Sequence, residues 1–374
     1  MKKIGIITYH HYYNYGTVLQ AYALQKVVEK IANCKVEIID YRSHEEKKFS
    51  FLEILKIRFC RLFVYIKEWK RVYRLKKYSK LLKAKRKQFN LFFQTDLKVG
   101  DVQYNSYHDL INNIPIYDVY ITGSDQTWSP KIGLNPAMFL QFAPLNATKI
   151  AYAPSLGVSS LEKTDVEKIS EYLSDYKYIS CRERVGSELL RSCTNKEVHL
   201  VIDPTFLLTD KEWDSIAIPA DKKDPYILCY FIGHRPYYRD YAKQCSDLLK
   251  MPLYYIPVSW VDLEDNNIFI PEAGPKEFLG LIRKASLILT DSFHGTAFSI
   301  IYHKNFYSFF KAAGGDRAID NSRISDLLYR LGLMDRLKNE DSSVDCNPID
   351  YSKVEIRISE ERMKSYEYLN EALL

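Results

Sequence analysis

Asp291, Ser292, Phe293, His294 and Gly295 stand in a row directly after the apolar run ASLILT, residues 285–290. His294 can give or take a proton near neutral pH. Gly295 permits close backbone approach, and a helix opening here offers unpaired N–H groups to an anion. The same stretch also reads as a helix cap made by Asp291 and Ser292, with His294 packed at a surface. Arg182 follows a second run, YKYIS at 176–180. Its planar guanidinium suits a carboxylate or phosphate, or else pairs with Glu183 as an ordinary surface ion pair. Asp125 and Gln126 follow YDVYIT, residues 117–122, and offer oxygens and an amide to hydroxyl groups or form an Asx-type turn. Asn14 and Gly16 follow KKIGIIT, residues 2–8, in a loop without the GxGxxG of dinucleotide sites. His10 and His11 are adjacent and so point different ways. Asp316, Arg317, Asn321, Ser322 and Arg323 add a polar loop.

Those clusters share one setting, the end of an apolar strand ahead of a helix. KKIGIIT, a helical pattern over 17–31 and VEIIDY at 36–41 make a βαβ unit, hence a parallel sheet. Strand patterns recur at 117–122, 149–155, 176–180 and 198–204, and the mixed stretch 207–225 reads as a linker. A second series follows, with strands at 226–233, 252–258, 286–290 and 304–310 and helices at 238–249, 274–285, 295–303, 323–333 and 359–374. The expected architecture is α/β, with two Rossmann-type parallel-sheet domains facing across a cleft. The first is read at 1–206, the second at 226–345, and a terminal helix lies within 350–374. Ligands of such sheets bind beyond the carboxyl ends of the strands.

With 374 residues the chain exceeds one ordinary core. Its net charge of +6 is uneven, because residues 47–90 hold 16 Lys and Arg against Glu53 and Glu68. In that stretch Leu52, Leu55, Phe59, Leu62, Ile66, Trp69 and Tyr73 recur every three or four positions. It reads as a basic helical insertion, about 45–100, that packs on the first domain or rests on anionic lipid. No helix-turn-helix or zinc-finger pattern accompanies it, so nucleic acid is not expected as a partner. The seven cysteines lack any CxxC and read as reduced thiols, with no metal site expected. The N-terminal apolar run is too short for a signal peptide, and no window spans a bilayer. A cytoplasmic protein is expected, peripheral on the inner face of the membrane if the basic segment binds lipid. The 30 tyrosines suit half-buried rings, some of them lining a sugar cleft.

NYGTVLQAYALQ, YDVYITGSDQTW, YAPSLG, SCRERVGSELL, VIDPTFLLTDKEW, EFLGLIRKASLILTDSFHGTAFSI and NSRISDLLYRLGL occur in that order. Together they resemble the polysaccharide pyruvyl transferase family over about residues 3–335, outside the basic stretch and the last helix. The resemblance implies a GT-B-like fold, in which the last helix crosses back to the first domain. It also implies transfer of pyruvate from phosphoenolpyruvate, the donor substrate, onto a sugar of a surface or capsular polysaccharide or its lipid-linked precursor, as a ketal. No cofactor is implied. By the same resemblance His294 is the general acid–base and Arg182 a catalytic, donor-binding residue. Ser292, Gly295, Thr296 and Arg323 would complete the donor site, while Asn14, Gly16, Asp125 and Gln126 would meet the acceptor. Some family members carry Arg where this chain has Ser292, and Arg323 is the expected replacement, with Arg317 and Lys311 behind it. The competing reading is a GT-B glycosyltransferase using a nucleotide-sugar.

Overall fold

In a computed structural model, residues 2–42, 69–221, 224–258, 268–269, 272–310 and 322–374 are described. The first half runs β1 (Lys3–Ile7), α1 (Tyr15–Ala32), β2 (Lys35–Tyr41), α2 (Trp69–Thr95), β3 (Val99–Tyr104), α3 (Tyr107–Asn112), β4 (Val119–Thr122), β5 (Thr148–Ala151), α4 (Lys163–Leu173), β6 (Ile179–Cys181), α5 (Arg184–Arg191) and β7 (Val198–Leu200). Its five-stranded sheet has the order β3-β2-β1-β4-β5, parallel throughout. The β6–β7 pair continues it, since Ala151 N–H donates to Tyr178 O at 2.9 Å. Both faces of β1 and β4 are covered, which is why they read as unbroken apolar runs.

The second half runs α6 (Asp210–Asp214), β8 (Ile227–Tyr230), α7 (Pro236–Leu249), β9 (Leu253–Tyr255), β10 (Ile268–Phe269), α8 (Pro275–Lys284), β11 (Leu287–Thr290), α9 (Phe293–Ile301), β12 (Asn305–Phe309), α10 (Ser322–Leu331), β13 (Leu337–Lys338) and α11 (Tyr351–Leu373). Its six-stranded sheet is also parallel, in the order β10-β9-β8-β11-β12-β13. In each sheet the order reverses beside the first strand, at β1/β4 and at β8/β11. Crevices open there at the strand ends.

One apolar cluster joins the halves, running from Ile4, Val18 and Leu24 to Leu279, Ile288 and Phe298. Tyr15, at the start of α1, stacks on Phe278 of α8 at 4.3 Å and donates its hydroxyl to Ala273 O at 2.7 Å. The last helix begins at Tyr351, capped by Asp350, rather than near residue 359. It lies along the first half. Tyr368 donates to Ala151 O at 2.7 Å, and Ser365 accepts from Ile202 N–H at 2.9 Å.

The basic stretch ends differently from its sequence reading. From Val99 the chain is edge strand β3, whose exposed polar residues mask any apolar signal. Within α2, Phe89 and Phe92 are buried against Tyr15 and Tyr22, so its C-terminal turns are core. Leu52, Leu55, Phe59, Leu62 and Ile66 lie outside the described residues, as do Lys311, Asp316, Arg317 and Asn321. No helix among the described residues is long and apolar enough to cross a membrane.

Candidate active site

Arg182 and His294, one from each half, meet at a buried carboxylate that the sequence reading left unassigned. Arg182 sits at the end of β6, and its Nη1 donates to Asp203 Oδ2 at 2.7 Å. His294, in the first turn of α9, places Nε2 3.6 Å from the same oxygen. The guanidinium lies over the Phe293 ring at 4.3 Å. Asp125 Oδ1 and Glu183 Oε1 stand 4.0 and 3.7 Å from its Nη2 and Nε. Arg182 and Glu183 are only 3% and 5% exposed, so the surface-pair reading does not describe them. Burial alone would raise the Asp203 carboxyl. The His294 ring, the Arg182 guanidinium and the Thr205 N–H outweigh it and hold Asp203 well below the usual carboxylate range.

Among the described residues, three buried nitrogens of Arg182 and His294 have no hydrogen-bond partner: Arg182 Nε, Arg182 Nη2 and His294 Nε2. Orphaned buried donors are uncommon and mark strain or a missing ligand. Arg323 of α10 lines the same small cavity as Arg182, Asp203, Phe293 and Arg330. Arg330 Nη1 donates to Arg182 O at 2.9 Å, docking α10 on the site.

The α9 start is occupied from within. Ser292 is its N-cap, with Oγ accepting from Gly295 N–H at 3.3 Å, and Thr296 N–H donates to Ser292 O at 2.9 Å. The Thr296 hydroxyl bonds Ser292 O and Ser308. Gly295 is small because it packs against Thr290. Ser292, Gly295 and Thr296 thus each have partners within the chain at this helix start. Asp291 is no cap; its carboxylate accepts from Ile232 and Gly233 N–H, at 2.6 and 2.7 Å, and ties β11 to the β8 loop.

On the first half, Asn14 caps α1 by accepting from Thr17 N–H. Gly16 faces His294, and a Cβ there would overlap the imidazole around Nδ1. Its lack of a side chain is what admits the ring. Asp125 accepts from Thr17 Oγ1 at 3.2 Å and from Gln126 N–H at 2.9 Å. Asp125, Gln126 and Thr17 line a cavity of about 800 Å³ together with Tyr9, His11, Tyr12, Tyr41, Tyr107 and Asn135. Its aromatic wall comes largely from the YHHYYNYG loop, whose ring density was the available sequence signal. His10 points the other way, buried between Thr8 O and Asp40. Asp203 was hidden in VIDPTF because a capping Asp before Pro is common.

The family model for polysaccharide pyruvyl transferase matches residues 14–309. The chain belongs to the polysaccharide pyruvyl transferase family. As a member it is a transferase of polysaccharide biosynthesis, and the match spans Arg182, Asp203 and His294 alike. No curated protein matches the sequence. Among solved structures, a UDP-GlcNAc 2-epimerase from Methanocaldococcus jannaschii is similar at 14% identity and TM-score 0.50, covering 98% of this chain and 92% of its own. MurG of Acinetobacter baumannii aligns at 9% identity and TM-score 0.45, over 100% and 94%. The chain has a GT-B-like arrangement of two parallel sheets, a fold it shares with the epimerase. Among the described residues, no cluster of three or more His, Cys, Asp or Glu side chains could hold a metal ion.

Proposed function

We propose that this protein moves pyruvate from phosphoenolpyruvate onto two hydroxyls of a sugar, forming a ketal and releasing phosphate. Family membership supports the reaction class, and the orphaned nitrogens of Arg182 and His294 support the donor's place. An anion beside Arg182 would give its Nε and Nη2 the oxygens they lack, with Arg323 lining the adjoining cavity. His294 would deliver the Nε2 proton to the donor's methylene carbon while an acceptor hydroxyl adds to the carbon bearing phosphate. The first hydroxyl's proton returns to His294. Phosphate leaves with the second hydroxyl's proton as that oxygen closes the ketal. A positioned acid–base of this kind contributes about 10²–10⁴ in rate.

The acceptor, a sugar or lipid-linked oligosaccharide, would occupy the tyrosine-lined cavity, which Asp125 connects to Arg182. At about 800 Å³ it is large enough for more than one sugar ring. Basic α2 would hold the enzyme near anionic lipid, beside a lipid-linked acceptor and the synthesis of surface or capsular polysaccharide.

Calorimetric titration with phosphoenolpyruvate tests the reading, with a nucleotide-sugar panel as control. Saturable binding is expected, abolished in Arg182→Ala and weakened in Arg323→Ala. Binding of a nucleotide-sugar in its place would keep the fold and overturn the reaction.

A further inference from the structure

We propose that Asp203 is the positioning residue of this site, setting the Arg182 guanidinium and the His294 imidazole against each other across the two halves. The proposal rests on the pyruvyl-transfer reading of those two side chains.

The carboxylate divides its oxygens between two tasks. Oδ1 accepts from Thr205 N–H at 3.0 Å and from Thr205 Oγ1 at 2.7 Å, capping the turn Pro204–Leu207. That pair fixes the plane of the carboxylate and so the direction of Oδ2. Oδ2 then faces Arg182 Nη1 at 2.7 Å, Ser124 Oγ at 3.4 Å and His294 Nε2 at 3.6 Å. Capping explains the first oxygen only. The second is fully buried, and a carboxylate there is costly unless it is paired.

Other charged groups face the cluster without doing this. Asp125 and Glu183 stand beside Arg182, and Arg330 of α10 donates to its carbonyl. Glu183 is occupied by Ser155 and by Cys181 Sγ. Of the three carboxylates around Arg182, Asp203 also pairs with His294, at Nε2. From the other side Gly16 packs on the ring around Nδ1. The imidazole is thus clamped between Gly16 at Nδ1 and Asp203 Oδ2 at Nε2. An acceptor-only oxygen opposite Nε2 favours a proton on that atom, which is the proton the donor's methylene needs.

The test follows the His294 ring by NMR in protein labelled with ¹⁵N-histidine, the signal being assigned with His294→Gln. In wild type the ring nitrogen shifts are expected to report a proton on Nε2, and in Asp203→Asn a mixture of the two neutral tautomers. Turnover should fall by about a hundredfold or more. Ring signals that report the same tautomer in both proteins would overturn the proposal. Thr205→Val keeps the carboxylate and its bond from the backbone N–H but removes the hydroxyl bond to Oδ1, so it gives the same comparison with a smaller change if Asp203→Asn does not fold. The ring spectrum needs neither donor nor acceptor, so it stays readable even if phosphoenolpyruvate proves not to be the donor.

Discussion

At the scale of single residues, the site is set by contacts that leave no slack. Gly16 admits the His294 ring where any Cβ would overlap it. Gly16→Ala is expected to displace the imidazole and cut turnover at least tenfold. The stability loss should be in the overpacking range of about 1–3 kcal/mol, read by denaturant titration beside the kinetic assay. Asp203 makes a second prediction. Its carboxyl is held well below the usual range, by His294 and Arg182 against the opposing effect of burial. The group therefore contributes stability above its unfolded value of about 4, and loses it as pH falls from there toward the depressed folded value. Asp203→Asn should have a flatter stability-versus-pH curve in that acid window, measured by urea unfolding at a series of pH values. Curves of equal slope would remove the charge from the account.

At the scale of elements, α2 shows how one helix serves two environments. Lys80, Lys83, Arg86 and Lys87 are exposed, while Phe89 and Phe92 are buried and Lys85 lies over the Tyr15 ring at 4.4 Å. Lys276 of α8 pairs with Asp96 at 2.8 Å just beyond its end. The helix thus braces α1 against α8, close to the stacked Tyr15 and Phe278. Phe92→Ala should cost about 3–5 kcal/mol of unfolding free energy, as a large buried aromatic does. A cost below 1 kcal/mol would mean that this end of α2 is only laid on the surface.

At the scale of the molecule, the candidate site exists only where the two halves meet. Arg182, Asp203 and Gly16 come from the first half and His294 from the second, held by the shared apolar cluster and by α11. The charge distribution is equally lopsided, with the basic excess concentrated in residues 47–90. Lys80→Glu, Lys83→Glu and Lys87→Glu together should release the protein from phosphatidylserine liposomes at low salt, read by co-sedimentation. A wild-type protein that never sediments with such liposomes would reduce α2 to a bracing helix with a solvated face.

The sequence alone determined the two parallel sheets, because strands buried on both faces must be apolar runs and the helices between them must repeat every three or four residues. It also marked the strand ends that carry Arg182, Asp125 and His294, since polar residues after such runs have few other reasons to cluster. Only the tertiary structure decided what those residues touch. Ser292 reads locally as a cap or as part of an anion site, and the fold shows the cap, with Gly295 packed on Thr290 and Thr296 bonded to Ser308. Gly16 needed the second half in place before its lack of a side chain had a meaning. Asp203 reads as a turn cap in isolation, and the cap is real. Its other oxygen faces partners distant in the chain, and no local pattern encodes a contact that forms only when two sheets close on each other.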